Sequence, residues 1–224
     1  MTELDLRESL RLTLRHSFGD ILDLPLFSPG EMSETAQAHP AQQLAEYAKK
    51  IQFCESCSLH IGRRKLVFGR GEPAARIAFV GDFPSLSDDK TGEPFSDEQG
   101  DLLSKMILAM KLRPEEVYLT NIYKCRPPSG ERPDPRHLLA CQTHLIYQFT
   151  CVAAPVIVAL GEESARAMAR SEAPLQILRK QTFEWQGRRV IPTHHPRDLH
   201  DSPQLKKEAW EDLRRAMQSL AQLS

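Results

Sequence analysis

The sequence predicts an α/β protein with a central, mostly parallel sheet flanked by helices on both faces. Short apolar runs of β-branched and aromatic residues alternate along the chain with segments of helical spacing. The clearest run, 155–161, is apolar and ends in Gly, as expected for a strand buried on both faces. The 224 residues are 41% hydrophobic and 26% charged, which is ordinary for one sizeable soluble domain.

The predicted elements follow one another as strand and helix in turn. Residues 76–81 form a short apolar strand, and apolar residues at helical spacing follow over 102–110. The alternation continues with strands at 117–122, 155–161 and 189–193 and with helices at 134–150, 162–170 and 203–220. Ligands of such sheets bind beyond the carboxyl ends of the strands, so we expect the functional side chains at or just after the strand ends.

An N-terminal arm precedes the main domain. Residues 3–22 carry apolar residues three and four positions apart, which predicts an amphipathic helix, and the chain from about residue 23 to 42 contains Pro, Ser and Gly. The predicted organisation is a helix and Pro-containing linker at 1–42 and a main domain at 43–224. Two interpretations of the helix stay open: it packs on its own domain, or it binds a partner protein.

Composition favours a cytoplasmic protein. No run of about 18 apolar residues is present, so no membrane span is predicted, and the acidic start MTELDLRE is unlike a signal peptide. Five cysteines, an odd number, argue against a disulfide framework in a chain without an export signal. The net charge of −1 does not by itself indicate a nucleic-acid partner, so local basic clusters decide that question.

Four cysteines have a spacing typical of a metal centre. Cys54 and Cys57 form a C-x2-C pair, and Cys125 and Cys141 follow far downstream. Four thiolates suit either a structural zinc ion or an iron–sulfur cluster, and the spacing alone leaves both open. The fifth cysteine, Cys151, lies just before the strand at 155–161 and is predicted to be a buried core residue.

Three blocks of sequence resemble motifs of the family 4 uracil-DNA glycosylases, the bacterial and archaeal repair enzymes that carry a [4Fe-4S] cluster. Residues 81–95, GDFPSLSDDKTGEPF, align without gaps on the family pattern G-E-[GA]-P-G-x3-D-x2-G-x-P-F. Residues 121–128, NIYKCRPP, resemble a second motif, and residues 193–196, THHP, are similar to the family's T-Y-H-P. The resemblance runs through most of residues 50–215. It implies a uracil-DNA glycosylase-like fold, a [4Fe-4S] cluster and DNA as partner.

The family's chemistry gives the matching residues their expected roles. A uracil flipped out of the DNA stack needs an aromatic face, matched by Phe95, and a carboxamide for the acceptor and donor on its edge, matched by Asn121. Negative charge develops on the departing base and needs a preorganised donor, matched by His195. In full, the resemblance implies catalysis by His195, Asp82 and Asp89, substrate binding by Gly81, Phe83, Phe95 and Asn121, and cluster ligation by Cys54, Cys57, Cys125 and Cys141.

Basic residues close to these motifs are predicted to contact DNA phosphates. Lys124 and Arg126 follow Asn121 within the second block. A further basic run, residues 63–65, follows the first cysteine pair.

The first block departs from the family pattern at three positions. Phe83 stands where Gly or Ala is usual, Ser85 replaces a second Gly, and Asp82 replaces Glu. Small residues let the backbone approach base and sugar, whereas a phenyl ring at position 83 would fill the pocket or shield the attacking water. Beyond the third block, residues 197–200 read RDLH where the family has an S-x-L-L-R-like segment, which places an Asp near the phosphates.

Three hypotheses of function follow. The leading one is a monofunctional DNA repair glycosylase that hydrolyses the N-glycosidic bond of uracil in single- or double-stranded DNA. The alternative is a non-catalytic iron–sulfur relative that binds nucleic acid and whose pocket has decayed at Phe83 and Ser85. The third is an interaction protein whose N-terminal helix recruits a replication or repair partner. The intact Phe95, Asn121 and His195 favour the enzyme.

Overall fold

The computed structural model describes residues 39–128 and 133–223. The chain divides into two units, residues 1–38 and 39–224, and the helix predicted at 3–22 lies outside the described residues. The first described helix, α1, spans Pro40–Ile51 and therefore begins inside the range 1–42 predicted as helix and linker. Pro at its first position and a His39 side chain that accepts the Ala41 N–H at 3.4 Å mark its start.

The described strands form one six-stranded sheet whose four central strands run parallel. The strands are β1 (Arg70–Gly71), β2 (Ile77–Gly81), β3 (Val117–Asn121), β4 (Val156–Leu160), β5 (Phe183–Trp185) and β6 (Arg188–Thr193). Their order across the sheet is β1-β3-β2-β4-β6-β5, with β1 and β5 antiparallel at the two edges. The mostly parallel sheet predicted from the sequence is confirmed, and each parallel strand lies within one residue of its predicted bounds.

Helices cover both faces of this sheet. The remaining helices are α2 (Leu86–Thr91), α3 (Glu98–Ala109), α4 (Pro135–Cys151), α5 (Glu162–Ala169), α6 (Leu175–Leu178), α7 (Pro196–Asp201) and α8 (Lys206–Ala221). One hydrophobic cluster joins α1, α4, α5 and α6 to the sheet, and a second joins α3 and α8 to it. The helix predicted at 203–220 begins with a 3-10 turn, Pro203–Leu205, before α8.

Strand β2 contributes to both clusters. Ile77 and Phe79 belong to the α3/α8 cluster, whereas Ala78 and Val80 belong to the cluster with α1 and α4. Successive side chains of a strand point to opposite faces, so a strand covered on both sides is apolar at every position. The first polar side chain after β2, Asp82, therefore lies beyond the end of the strand, at the edge of the sheet.

Helix α1 and the shortest elements were not predicted from the sequence. The short elements include β1, β5, α2, α6 and α7, none of which is long enough to show a period. β5 and β6 form a hairpin whose turn residues, Gln186 and Gly187, have φ values of 50° and 70°. A two-residue turn of this kind requires left-handed backbone at both positions. Among the helices described, none has the length and apolar character needed to cross a membrane.

Candidate active site

Side chains from neighbouring strands meet at the carboxyl edge of the sheet. Gly81 ends β2 and Asn121 ends β3, and the two residues are paired in register. Asp82 follows β2, and His195 follows β6 by two residues. Phe95, in the loop after α2, brings its ring close to both Gly81 and His195. Parallel sheets bind ligands at this edge, so the location agrees with the expectation from the sequence.

The Asn121 side chain is buried with its amide unpaired. Only 2% of the residue is exposed, and neither the amide oxygen nor the amide nitrogen has a hydrogen-bond partner within the described residues. Leaving a buried polar group unsatisfied costs about 1–3 kcal/mol. A ligand that presents a donor beside an acceptor would pair both atoms. The amide at the end of β3 is therefore available to pair with a ligand, and its part in binding a substrate stays a prediction.

Gly81 provides the space in which the amide and the Phe95 ring come together. A Cβ at Gly81 would lie 2.4 Å from Asn121 Oδ1 and 2.7 Å from Phe95 Cζ. Phe95 is buried, and its φ of 55° is in the left-handed region, which costs about 1–3 kcal/mol for a residue with a side chain. Its carbonyl lies against Gly100, where a Cβ would be only 1.9 Å away. The fold thus holds Phe95 in a strained backbone conformation, with its ring beside the amide.

His195 is held as a neutral imidazole with a defined tautomer. The residue caps the N-terminus of α7, where its Nδ1 accepts the Arg197 backbone N–H at 3.1 Å. Burial lowers the pKa of His195 to about 3, and the nearby Arg197 charge acts in the same direction. A neutral ring whose Nδ1 is an acceptor carries its proton on Nε2. His195 therefore offers an Nε2–H donor, and its ring centroid lies 6.0 Å from that of Phe95.

Asp82 is a buried carboxyl group at the same edge. Its Oδ1 accepts the Ser164 backbone N–H at 2.7 Å, from the first turn of α5. Burial raises the pKa of Asp82 to about 7, with a further increase from Glu163, although the Ser164 hydrogen bond opposes it. Gly161 leaves room for the carboxylate, since a Cβ there would lie 2.5 Å from Asp82 Oδ2. A carboxyl group with a pKa near neutrality can both accept and release a proton at physiological pH.

The two acidic residues of α2 have structural contacts. Asp88 forms a capping box with Ser85 and also accepts the Ser96 N–H at 2.7 Å and the Ser96 hydroxyl at 2.9 Å. Asp89, predicted as catalytic, accepts the Arg64 backbone N–H at 2.9 Å through its Oδ1. This contact ties α2 to the segment that follows the first cysteine pair. The catalytic role of Asp89 stays a prediction.

Phe83 packs into the protein rather than standing free. The residue is 9% exposed and belongs to the hydrophobic cluster that contains α4 and α5. The guanidinium carbon of Arg197 lies 5.3 Å from the centroid of its ring, within the range of a cation–π contact. Arg197 thus covers the ring from the start of α7. The part Phe83 plays in binding a substrate stays a prediction.

The four predicted ligand cysteines surround one space. Cys54, Cys57, Cys125 and Cys141 line one pocket, together with side chains that include Arg63 and His144. They come from three places in the chain: Cys54 and Cys57 lie between α1 and the 3-10 turn Ser58–Gly62, Cys125 follows β3, and Cys141 lies in α4. Cys151, predicted as a core residue, is buried in the hydrophobic cluster and does not line this space.

Two of these sulfurs already have N–H groups directed at them, and a third lies near a histidine ring nitrogen. The Lys124 backbone N–H donates to Cys141 Sγ at 3.2 Å, and Arg63 Nη1 donates to Cys125 Sγ at 3.3 Å. His144 Nε2 lies 3.3 Å from Cys54 Sγ. Burial raises the pKa of Cys141 to about 12, so this thiol is protonated unless a metal takes the proton's place. Donors of this kind stabilise thiolates that bind metal.

The sulfurs do not converge on one point. Over residues 39–128 and 133–223, no group of three or more His, Cys, Asp or Glu side chains is close enough to hold a single metal ion. A zinc ion needs four ligands, with sulfur about 2.3 Å from the metal. The cysteines therefore share a space without forming a one-ion tetrahedron.

Two basic residues predicted to contact phosphates are engaged inside the protein instead. The Lys124 side chain is fully buried, so it cannot reach DNA, and this prediction was wrong. Arg63 is directed inward as well, because its guanidinium donates to the carbonyls of Gln52 and Cys54 in addition to Cys125. Arg64 and the rest of the predicted basic set are on the surface or partly exposed.

Sequence reasoning did not find the residues that support the site. Ser164 and Gly161 hold and accommodate Asp82 from the β4–α5 junction, and Arg197 fixes the His195 tautomer through its backbone. The position of Gly161, directly after a buried strand, could have indicated a role in the site, because the junction between β4 and α5 lies at the same edge of the sheet. Hydrogen bonds donated by backbone N–H groups, by contrast, cannot be predicted from residue types.

Comparison with known proteins agrees with this geometry. Residues 68–214 match the family model described as "Uracil DNA glycosylase superfamily". The type-4 uracil-DNA glycosylase of Thermotoga maritima is 35% identical over 173 residues, covering 75% of this chain and 90% of that protein. The type-4 uracil-DNA glycosylase of Archaeoglobus fulgidus is 32% identical over 182 residues, covering 78% and 92%. The chain therefore belongs to the uracil-DNA glycosylase superfamily. Within it, the chain is similar to type-4 enzymes, and the resemblance seen in the sequence is confirmed.

Proposed function

We propose that this protein is a monofunctional glycosylase that removes uracil from DNA. The observation that carries the proposal is the buried, unpaired amide of Asn121, which offers one donor and one acceptor side by side. The edge of uracil presents the complementary pair. The type-4 uracil-DNA glycosylases that this chain resembles support the choice of base and of DNA as partner.

The pocket side chains divide the work of binding and bond cleavage. A uracil flipped from the stack lies on the face of Phe95 and pairs its edge with the Asn121 amide. As the N-glycosidic bond breaks, electrons move onto the base, and the Nε2–H of neutral His195 donates to the uracil oxygen that gains charge. A neutral donor is suited to this task, because both the flipped-out uracil and the buried imidazole are uncharged before the bond breaks.

Asp82 supplies the acid–base part of the proposal. Its pKa of about 7 leaves a substantial fraction ionised at neutral pH. In that form the carboxylate accepts a proton from the water that attacks the sugar carbon, while Ser164 holds its other oxygen in place. Asp82 is therefore the proposed general base, and its replacement of the family's Glu keeps the carboxyl group with a shorter side chain.

We also propose that Cys54, Cys57, Cys125 and Cys141 bind a [4Fe-4S] cluster. The pocket that the four cysteines line and the N–H groups aimed at two of their sulfurs fit a cluster, in which each thiolate binds its own iron. When bound, the cluster would be a structural cross-link between three segments of the chain and would take no part in the hydrolysis. Thiolate ligation of this kind fits the reducing cytoplasm predicted for this chain.

The decayed-pocket alternative is not favoured. Phe95, Asn121 and His195 converge at one edge, and the Phe83 ring belongs to a hydrophobic cluster. Binding of a protein partner by the N-terminal helix stays a prediction, since that segment lies outside the described residues.

Uracil release tests the proposed function. Purified protein is incubated with single- and double-stranded oligonucleotides that contain one uracil, and abasic sites are detected by alkali cleavage. Matched oligonucleotides with thymine or cytosine should stay intact. Asn121→Ala should abolish most of the release, whereas Gln142→Ala, which removes a half-buried amide of α4, should not. Native protein that carries iron and sulfide but releases no uracil would contradict the proposal.

A further inference from the structure

The side chain of Arg197 presents unused hydrogen-bond donors at the edge of the sheet that holds the base pocket. It is partly exposed, and over residues 39–128 and 133–223 no hydrogen bond or ion pair engages its guanidinium. The guanidinium lies over the Phe83 ring, with its carbon 5.3 Å from the ring centroid. Because the N–H groups of a guanidinium lie in its plane, contact with a ring face leaves them available to an acceptor.

Arg197 reaches across the edge of the sheet. Helix α7 packs against α3, whose cluster contains Phe95, whereas Phe83 belongs to the cluster with α4 and α5 on the opposite face. Burial raises the pKa of Asp82 and lowers that of His195, and the charge of Arg197 lowers both. The guanidinium therefore lies within electrostatic range of both proposed catalytic groups.

The acidic neighbour of Arg197 is turned away from it. Asp198, expected from the sequence to place a negative charge near the phosphates, accepts the His195 backbone N–H at 3.3 Å through its Oδ2. This contact closes the capping box at the start of α7. The carboxylate is thus occupied by its own helix, while the guanidinium is unpaired within the described residues. A positive charge is therefore available at this edge.

A DNA phosphate is the acceptor that fits this place. Arg binds phosphate through parallel N–H···O bonds, and contacts of this kind position DNA on a protein. A nucleotide whose base lies on Phe95 and whose sugar faces Asp82 carries a phosphate on each side of that sugar. Arg197 is close to Asp82 and His195, so it is placed to bind one of them. The Phe83 ring restricts the long arginine side chain before DNA binds, which lowers the entropy cost of the contact.

We propose that Arg197 binds a phosphate next to the flipped nucleotide and that Phe83 is a positioning residue that holds the guanidinium for this contact. The inference rests on the proposed function and deepens it by naming a contact with the DNA backbone. It also gives one reason for two departures from the family pattern. Phe83 stands where Gly or Ala is usual and Arg197 where Ser is usual, and the two side chains contact each other.

Arg197→Gln tests the phosphate contact. Gln removes the charge but keeps the backbone N–H that His195 Nδ1 accepts. Arg113→Gln is the matched control, because Arg113 is an exposed arginine just before β3, at the amino edge of the sheet and opposite the pocket. Binding is measured to an oligonucleotide that carries a stable tetrahydrofuran analogue of the abasic product, so no turnover is required. The measurement is repeated with a neutral methylphosphonate in place of the phosphate on the 5′ or the 3′ side of the analogue.

Arg197→Gln should bind the unmodified oligonucleotide about tenfold more weakly than the native protein, as expected for loss of a charged hydrogen bond. The slope of log affinity against log salt should become shallower by about 0.9, the contribution of one phosphate contact on duplex DNA. Arg113→Gln should change neither quantity. One of the two methylphosphonates should weaken binding by the native protein about tenfold and should hardly affect Arg197→Gln. Equal losses in the two proteins, for both methylphosphonates, would overturn the inference.

Phe83→Leu tests the positioning role. Leu keeps an apolar side chain in the cluster with α4 and α5 but removes the aromatic face. Affinity should fall about two- to fivefold, the range for loss of a cation–π contact, and the salt slope should stay the same because the charge remains. The double variant Phe83→Leu/Arg197→Gln should bind no more weakly than Arg197→Gln, since Phe83 acts through Arg197. Additive losses in the double variant would refute the positioning role.

Further outcomes keep this inference separate from the proposed function. Phe83→Met, closer to Phe in volume, replaces Phe83→Leu where the latter does not fold, with the same expected results. Native protein that shows the predicted coupling to one phosphate but releases no uracil contradicts the proposed function alone. Native protein that releases uracil without this coupling contradicts the inference alone.

Discussion

Two different replacements of His195 separate the effects of its two roles, as a helix cap and as the proposed donor. Its Nδ1 caps α7, and its Nε2–H is the proposed donor to the departing base. His195→Ala removes both. Loss of an N-cap costs about 0.5–2 kcal/mol, which leaves a protein of ordinary stability folded and lowers its Tm by a few degrees. Loss of an oxyanion donor lowers the rate by about 10²- to 10³-fold, which raises the activation free energy by at least about 2.7 kcal/mol. The rate of excision should therefore fall far more than the stability of the fold does.

His195→Asn provides the control for this prediction. Asn is among the best N-cap residues, so it should restore most of the lost stability, but it is too short to place an N–H where Nε2 lies. Single-turnover excision of uracil and thermal unfolding are measured for the native protein and both variants. We expect both variants to be slow and only His195→Ala to be less stable. Excision at the native rate in His195→Ala, or recovery of rate together with stability in His195→Asn, would refute the donor role.

Three further predictions follow from the same geometry. Burial raises the pKa of Asp82 to about 7, so on raising the pH the unfolded chain loses the Asp82 proton at a lower pH than the folded protein does, and the free energy of unfolding should fall as the pH rises from about 4 to about 7. The rate of excision should rise through pH 7 as the carboxylate forms. Asp82→Asn should remove the Asp82 contribution to both trends. Cys141→Ser should lower iron and sulfide content, whereas Cys151→Ser should leave both unchanged; equal loss in the two variants would contradict the ligand assignment. Gly81→Ala should slow excision by about 10²-fold, because its Cβ displaces the Asn121 amide or the Phe95 ring, while binding of undamaged DNA stays constant.

Much of the sheet could be predicted because buried parallel strands have a plain sequence pattern. The run at 155–161 could be placed to within one residue, as could the strand that ends at Gly81. The short edge strands and the six-residue helix α7 show no period, and their positions depend on tertiary contacts. The start of α1 at Pro40 fell within the predicted linker, because a Pro at the first helical position reads equally as a loop residue.

The pocket could be predicted only as far as residue types carry its chemistry. Asn121, Phe95 and His195 stood out through the motifs that contain them, and the structure brings them to one edge. Lys124 was predicted to contact phosphates because charged residues are mostly exposed, whereas here its Nζ is hydrogen-bonded to Thr120, Asn121 and Gln148 inside the protein. The tautomer of His195 depends on a backbone N–H, which no residue name reveals.

The most direct measurement of the central claim is the response of the single asparagine to uracil. Because Asn121 is the only asparagine in the chain, protein labelled with ¹⁵N in asparagine gives one side-chain NH₂ pair. The account predicts that saturating free uracil, the product of the reaction, moves both components of this signal, since the base pairs with an amide that has no partner in the described structure. Thymine at the same concentration should move it less. A signal that stays in place while uracil demonstrably occupies its site, as judged by inhibition of excision, would contradict the account.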